Sequence, residues 1–241
     1  MAFSTRRGGR SALPVDGLNL GLHVGDDRQL VLGNRHRFLA AAGLNLDNLI
    51  MAEQTHGQQV RLVGDKDAGA GAYRADEALS GVDAMVTATP GVALGGCYAD
   101  CVPVFIVDTA LPAVAVIHAG WRGTAGGIVP HTWSWLCESF ASCKDDCVAY
   151  IGPAIGMCCY EVGESVAAAM REQWWWPQVS RRRSNGLWYV DLALANQLQL
   201  EARGLHTENC GLCTSCDPRF YSHRRDGGNT GRMLGMISIR T

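Results

Sequence analysis

Ala113-Val-Ala-Val-Ile-His-Ala-Gly-Trp-Arg-Gly-Thr-Ala-Gly-Gly-Ile128 has the richest chemistry in the chain, an apolar strand that ends on His118 and runs through a glycine-rich turn into a helix. Unpaired backbone N–H groups, the positive end of a helix dipole and the Arg122 guanidinium then meet near one point, where an anion could bind. The plainer reading is a tight strand-to-helix connection with a surface arginine. It is not a Walker loop, because the GxxxxGK spacing and its lysine are absent. Upstream, Tyr98-Ala-Asp-Cys-Val-Pro-Val104 sets Cys101 between two strand runs, beside Asp100 and a pairing-breaking proline, so its thiol can face a cleft. A cysteine next to Val and Pro otherwise packs as a small inert side chain. His56 lies in the polar stretch Glu53-Gln-Thr-His-Gly57, where the plain alternative is a solvated loop histidine.

Together His56, Cys101 and His118 offer the number and softness of donors that a catalytic zinc uses when a fourth position stays open. Their separations, 45 and then 17 residues, lack the specificity of a paired C-x-x-C site. Two of the same residues support another chemistry, a Cys101 thiolate activated by His118 in a hydrolase or transferase.

The tail is a second dense region. Phe220-Tyr-Ser-His-Arg-Arg-Asp-Gly-Gly-Asn-Thr-Gly-Arg-Met233 interleaves His223, Arg224, Arg225 and Arg232 with glycines. Arginine forks suit phosphate or carboxylate oxygens, and a basic solvated turn is the competing reading. Cys210, Cys213 and Cys216 form C-x-x-C-x-x-C, the pattern of a metal or redox centre, although a fourth cysteine at matching spacing is missing. Trp174-Trp175-Trp176 reads as helix-end packing or a subunit contact, and Arg181-Arg182-Arg183 as a solvated turn. Arg6-Arg-Gly-Gly-Arg10 resembles an RGG nucleic-acid segment, but in one copy.

Short apolar runs must position these groups. Val92 to Cys97, Val102 to Val107 and Ala113 to Ile117 read as buried strands, Val148 to Ile151 as another, and Met233 to Ile239 as a half-buried edge strand. Helices are expected over Arg35 to Ala42, Ile128 to Phe140, Glu164 to Trp174 and Leu192 to Arg203, several of them closed by Gly or Pro. Interspersed strands and helices predict an α+β fold, a layered α/β arrangement with a mixed β-sheet. Neither repeats nor a linker divides residues 1–241, so one domain is expected.

The composition sets the outer bounds. Of 241 residues, 47% are apolar and 18% charged, enough to bury a core. Lys plus Arg number 21 and Asp plus Glu 23, and a net charge of −2 leaves no field to hold nucleic acid or an anionic membrane. No apolar run is long enough to span a bilayer and no leader is evident, so a cytoplasmic protein with ten mostly reduced cysteines is expected.

In order along the chain, Ser4-Thr-Arg-Arg-Gly-Gly9, Asn19-Leu-Gly-Leu-His-Val-Gly-Asp26, Gln54-Thr-His-Gly57, Asp100-Cys-Val-Pro-Val104, His118-Ala-Gly-Trp-Arg-Gly123, Ile151-Gly-Pro-Ala-Ile155, Tyr160-Glu-Val-Gly163 and Ser222-His-Arg-Arg-Asp226 with Thr230-Gly-Arg-Met233 resemble the motifs of the YfiH-like proteins. That family is also called the laccase-domain or multicopper polyphenol oxidase family and is regarded as purine nucleoside phosphorylases. The resemblance implies a single compact domain of the family's own type and a Zn2+ ion held by His56, Cys101 and His118. It further implies phosphorolysis of adenosine, inosine, guanosine and methylthioadenosine, with deamination of adenosine. Nucleoside and inorganic phosphate are then the partners of a monomer or homodimer. Arg122, Arg224, Arg225, His23, Asn19 and Arg6 are the candidate substrate or phosphate contacts. Cys101, His118 and Asp100 are the candidate catalytic groups, with Asp100 or His23 to move a proton. Two departures stand out: His223 replaces a more usual tyrosine, and Cys210 and Cys216 flank the family-like Cys213.

A multicopper oxidase needs a histidine-built trinuclear cluster and a blue-copper site. Seven histidines with no H-x-H pair make polyphenol oxidation at most a side activity of adventitious copper. A cysteine hydrolase acting on peptide-like cell-wall precursors, and a purine- or redox-sensing protein using the cysteine-rich tail, are the other readings.

Overall fold

The computed structural model describes residues 1–240. In chain order the elements are β1 (Ala2–Phe3), α1 (Arg28–Ala40), β2 (Leu49–Met51), β3 (Val60–Leu62), β4 (Ala84–Thr87), β5 (Ala93–Tyr98), β6 (Val102–Asp108), β7 (Val114–Ala119), α2 (Trp121–Ala125), α3 (Ile128–Phe140), β8 (Cys147–Ile151), β9 (Glu161–Val162), α4 (Glu164–Arg171), α5 (Trp176–Val179), β10 (Ser180–Arg182), β11 (Trp188–Val190), α6 (Leu192–Glu201), β12 (His206–Asn209) and β13 (Met233–Ser238). Six strands form a sheet in the order β12-β8-β6-β7-β4-β3, and four form a second in the order β1-β13-β5-β2. Strands β9, β10 and β11 make a small ribbon. Both large sheets mix parallel and antiparallel pairs, as the expected α+β class requires.

Strands β4, β5 and β7 are buried at every position, because each of the two main sheets is covered on both faces. Ile50, Leu94 and Ile237 of one sheet meet Met85, Phe105, Val114 and Val116 of the other in a shared apolar layer. Val104, Ile106, Ala115 and Ile117 point the opposite way, onto Val129, Trp133 and Leu136 of α3 and Ala195 and Leu200 of α6. Leu39 of α1 covers Ala93, Leu234 and Met236 on the far side of the smaller sheet. The result is a stack of helix, sheet, sheet and helices in one compact α+β domain.

The structure moves several expected elements. The helix expected from Arg35 begins at Arg28, because the Asp27 side chain accepts from the N–H groups of Gln29 and Leu30 and caps it there. The strand expected at an edge, β13, lies between β1 and β5. Its alternate residues fill two different cores, so polar alternation never develops. Arg181 and Arg182 belong to β10 rather than to a turn, and the Arg183 guanidinium stacks 3.8 Å over the Tyr189 ring. Trp175 and Trp176 are core residues while Trp174 is exposed, which satisfies the packing half of that expectation.

Candidate functional site

Register brings the first two donors together. Pro103 on β6 pairs with His118 on β7, so the β5–β6 turn carrying Asp100 and Cys101 reaches the end of β7 where His118 sits. The loop after β2 supplies His56. Its path is fixed by Gln54, whose side chain donates to the Cys97 carbonyl (3.0 Å) and accepts from the Cys97 N–H (2.8 Å). Donor atoms of His56, Cys101 and His118 all lie within 4.8 Å of one another. The His56 and His118 rings meet edge to face at 4.8 Å.

Asp83 organises this group, and the sequence reading missed it. Its carboxylate accepts from His118 Nδ1 (2.8 Å) and from the backbone N–H groups of His56 (3.0 Å) and Gly57 (2.7 Å). Burial would raise the Asp83 carboxyl, but His118 and those N–H groups outweigh it and hold the group below the ordinary carboxylate range. With Nδ1 tied to Asp83, His118 turns Nε2 toward its neighbours, the orientation that carboxylates impose on metal-binding histidines. Burial opposes ionisation of Cys101, yet facing His118 and His56 brings its thiol down to about 6. Burial likewise opposes protonation of His118, and the Cys101 thiolate and Asp83 raise that imidazole to about 9.

Local strain marks the same place. Of three non-glycine residues with positive φ among the described residues, His56 (61°) and Asp100 (89°) are two. Such conformations persist only where surrounding contacts over-determine them. At Asp100 those contacts are the Thr214 hydroxyl (2.6 Å) and the Arg224 N–H (2.7 Å), which donate to its two carboxylate oxygens. Gly120 leaves room between the loops: a Cβ there would sit 2.8 Å from His56 Cδ2 and 3.3 Å from Cys101 Sγ.

The group opens into a cleft of about 810 Å3 whose wall includes His23, Asp100, Arg122, Tyr160, His223 and Arg224. Arg122 is exposed, its guanidinium 4.3 Å from the Trp121 ring centroid, and it belongs to the short helix α2 that interrupts the expected glycine turn. Arg224 donates to the Glu161 carbonyl (2.7 Å) and stacks over Tyr160. Three expected contacts lie outside the lining, each committed to the protein itself. Arg6 pairs with Asp16, the buried Asn19 holds the N–H groups of Gly21 and Arg232, and Arg225 forks onto Asp226 and the carbonyls of Thr214 and Phe220. Arg35 and Arg232, not singled out as contacts, reach the wall instead.

Residues 1–240 match the family described as multi-copper polyphenol oxidoreductase laccase. The chain belongs to that family. It is 43% identical over 247 residues to a purine nucleoside phosphorylase, YlmD, of Geobacillus stearothermophilus, covering 99% of this chain and 89% of the relative. An adenosine deaminase from an unknown prokaryotic organism is 38% identical, with 96% and 90% covered. The crystal structure of Bacillus licheniformis hypothetical protein YfiH superposes with a TM-score of 0.96 at 37% identity, covering 99% of this chain and 91% of that one. Among the described residues no helix is long and apolar enough to cross a membrane.

Proposed function

We propose that this family member is a zinc-dependent purine nucleoside phosphorylase that also deaminates adenosine. The observation that carries the reading is the convergence of two imidazoles and one thiol within 4.8 Å of one another beside a cleft lined by Arg122 and Arg224. The donor set fits zinc in number and softness: three ligands leave a coordination position open, and Asp83 fixes the tautomer of one of them. When bound, zinc in such a site supplies Lewis acidity and makes nearby water acidic, toward a pKa of ~7. It is the chemistry that substitution at the purine six-position requires.

The chain's own groups account for the rest. Phosphorolysis brings inorganic phosphate to the ribose anomeric carbon as the purine departs. Arg122, with no ion-pair partner among the described residues, and Arg224 offer guanidinium forks for that anion. Holding phosphate and nucleoside in one cleft turns a two-body encounter into a positioned reaction. The volume lies within the range usual for small-molecule sites. Asp100 positions the Cys101 turn and the Arg224 backbone through its two accepted hydrogen bonds. His23, held down to about 4 by desolvation and then by Arg232 and Arg35, is a neutral imidazole on the wall that offers one hydrogen-bond donor and one acceptor to a bound molecule. Names of relatives support both activities. The test is phosphate-dependent release of hypoxanthine from inosine, with Cys101→Ala and His118→Ala variants. Both must lose it; full activity in either ends the reading.

One geometric fact favours a second reading. Asp83, His118 and Cys101 form a chain of carboxylate, imidazole and thiol of the kind that activates a cysteine nucleophile. Turnover that survives metal removal and is blocked by alkylating Cys101 would select it.

A further inference from the structure

Cys158 and Cys159 stand in the turn between β8 and β9, and Cys213 and Cys216 in the segment between β12 and β13. The fold brings all four sulfurs within 4.8 Å of one another. Cys216 Sγ lies 3.5 Å from Cys158 Sγ and 3.3 Å from Cys159 Sγ. Sulfurs on a tetrahedron around zinc, at Zn–S of about 2.3 Å, stand about 3.8 Å apart. Disulfide sulfurs would stand about 2.05 Å apart, and all four cysteines are free thiols. The Gly156 N–H donates to Cys213 Sγ (3.3 Å), and the backbone N–H groups of Cys216 and Ser215 face the same sulfur. A sulfur that collects backbone donors in this way is prepared to carry negative charge. Cys210, the third member of the sequence pattern, is outside the cluster.

We propose that Cys158, Cys159, Cys213 and Cys216 form a second metal centre, a closed four-thiolate site for zinc that staples the Tyr160 turn to the segment whose Thr214 holds Asp100. Four sulfur donors fill a tetrahedral ion and leave no position for water, the arrangement of structural rather than catalytic zinc. Its value to the fold follows from its neighbours. Tyr160, next to Cys159, lines the cleft, and its N–H closes the turn on the Gly156 carbonyl (2.9 Å). Thr214, next to Cys213, is the residue whose hydroxyl holds Asp100. The Ala154–Cys213 bridge is the backbone link between the same two segments. A metal on the four sulfurs fixes the Tyr160 turn and the Thr214 segment in one register without touching substrate.

Metal analysis of the whole protein after zinc loading and dialysis tests the site without reference to any activity. The wild type and Cys210→Ser should hold two zinc ions per chain, Cys216→Ser one and Cys101→Ala one. Cys216 is exposed, so its replacement leaves the core intact, and circular dichroism checks this. Two ions retained in Cys216→Ser overturn the proposal, as does a wild type whose Cys216 is recovered in a disulfide. Cobalt(II) loaded into Cys101→Ala should give strong sulfur-to-metal charge-transfer absorption that disappears when Cys216→Ser is added. A spectrum without that absorption in Cys101→Ala also overturns it. Iron in the purified protein in place of zinc would refute the metal assigned.

Discussion

Two groups of soft donors are linked through Asp100, and they are built differently. His56, Cys101 and His118 come from three separate elements, mix nitrogen with sulfur, number three and face a cleft. Cys158, Cys159, Cys213 and Cys216 come from two turns, are all sulfur, number four and sit near the surface. Donor count decides what each can do: three donors with a carboxylate behind one of them leave an open position, and four leave none. The first arrangement suits reaction and the second suits stapling. Asp100 joins them, since it precedes Cys101 in the chain and is held by Thr214, next to Cys213.

The comparison breaks most severely if the first group is dispensable. Cys101→Ala should lower inosine phosphorolysis at least about a hundredfold, measured as phosphate-dependent hypoxanthine release. Asp83→Asn keeps every ligand but loses the charge behind His118, and activity or zinc affinity should fall roughly tenfold to a hundredfold. An unchanged Asp83→Asn enzyme would mean that the carboxylate behind His118 is incidental.

Arg122→Ala should raise the KM for phosphate about tenfold and leave nucleoside binding nearly unchanged, the loss expected of one charge-assisted contact. An equal rise for both substrates would move the anion site elsewhere. Cys216→Ser should leave inosine turnover close to wild type while lowering the melting temperature, by roughly 2–4 °C for each kcal/mol lost at this chain length. A large loss of turnover at unchanged stability would put the four-sulfur group in the reaction itself.

The smallest effect belongs to His23. Desolvation first, then Arg232 and Arg35, lower its imidazole from 6.5 to about 4. Between those values the unfolded chain binds a proton that the folded chain refuses, so stability falls as pH falls from about 6.5 toward 4 and this contribution is constant above that window. His23→Gln should flatten that part of a denaturation-against-pH curve. An unaltered slope would show that other groups produce it.

Several features were legible along the chain because they rest on local patterns. The helix read from Ile128 to Phe140 has those bounds in the structure, and the central strands fall within a residue or two of their apolar runs. Local signals failed where long-range packing decided. The start of α1 depends on the Asp27 cap, a side-chain contact that apolar spacing does not report. Alternation misread β13, because strands buried on both faces show none. The His56, Cys101 and His118 set could be assembled from residue types and from resemblance, but its second partner could not. Asp83 is 35 residues from His118 and lies in an ordinary strand entry, with no motif of its own.

The sequence by itself determined the donor types, the apolar runs and the family, since these are properties of residues and their order. Only the tertiary structure decided which donors share a centre. It set Cys210 aside, supplied Cys158 and Cys159 from nearly sixty residues away, and committed Arg6, Asn19 and Arg225 to the protein's own backbone and side chains. Ligation and anion binding depend on distances of a few ångströms between atoms remote in the chain. Strand register and turn closure fix those distances, and neither is written at any single position.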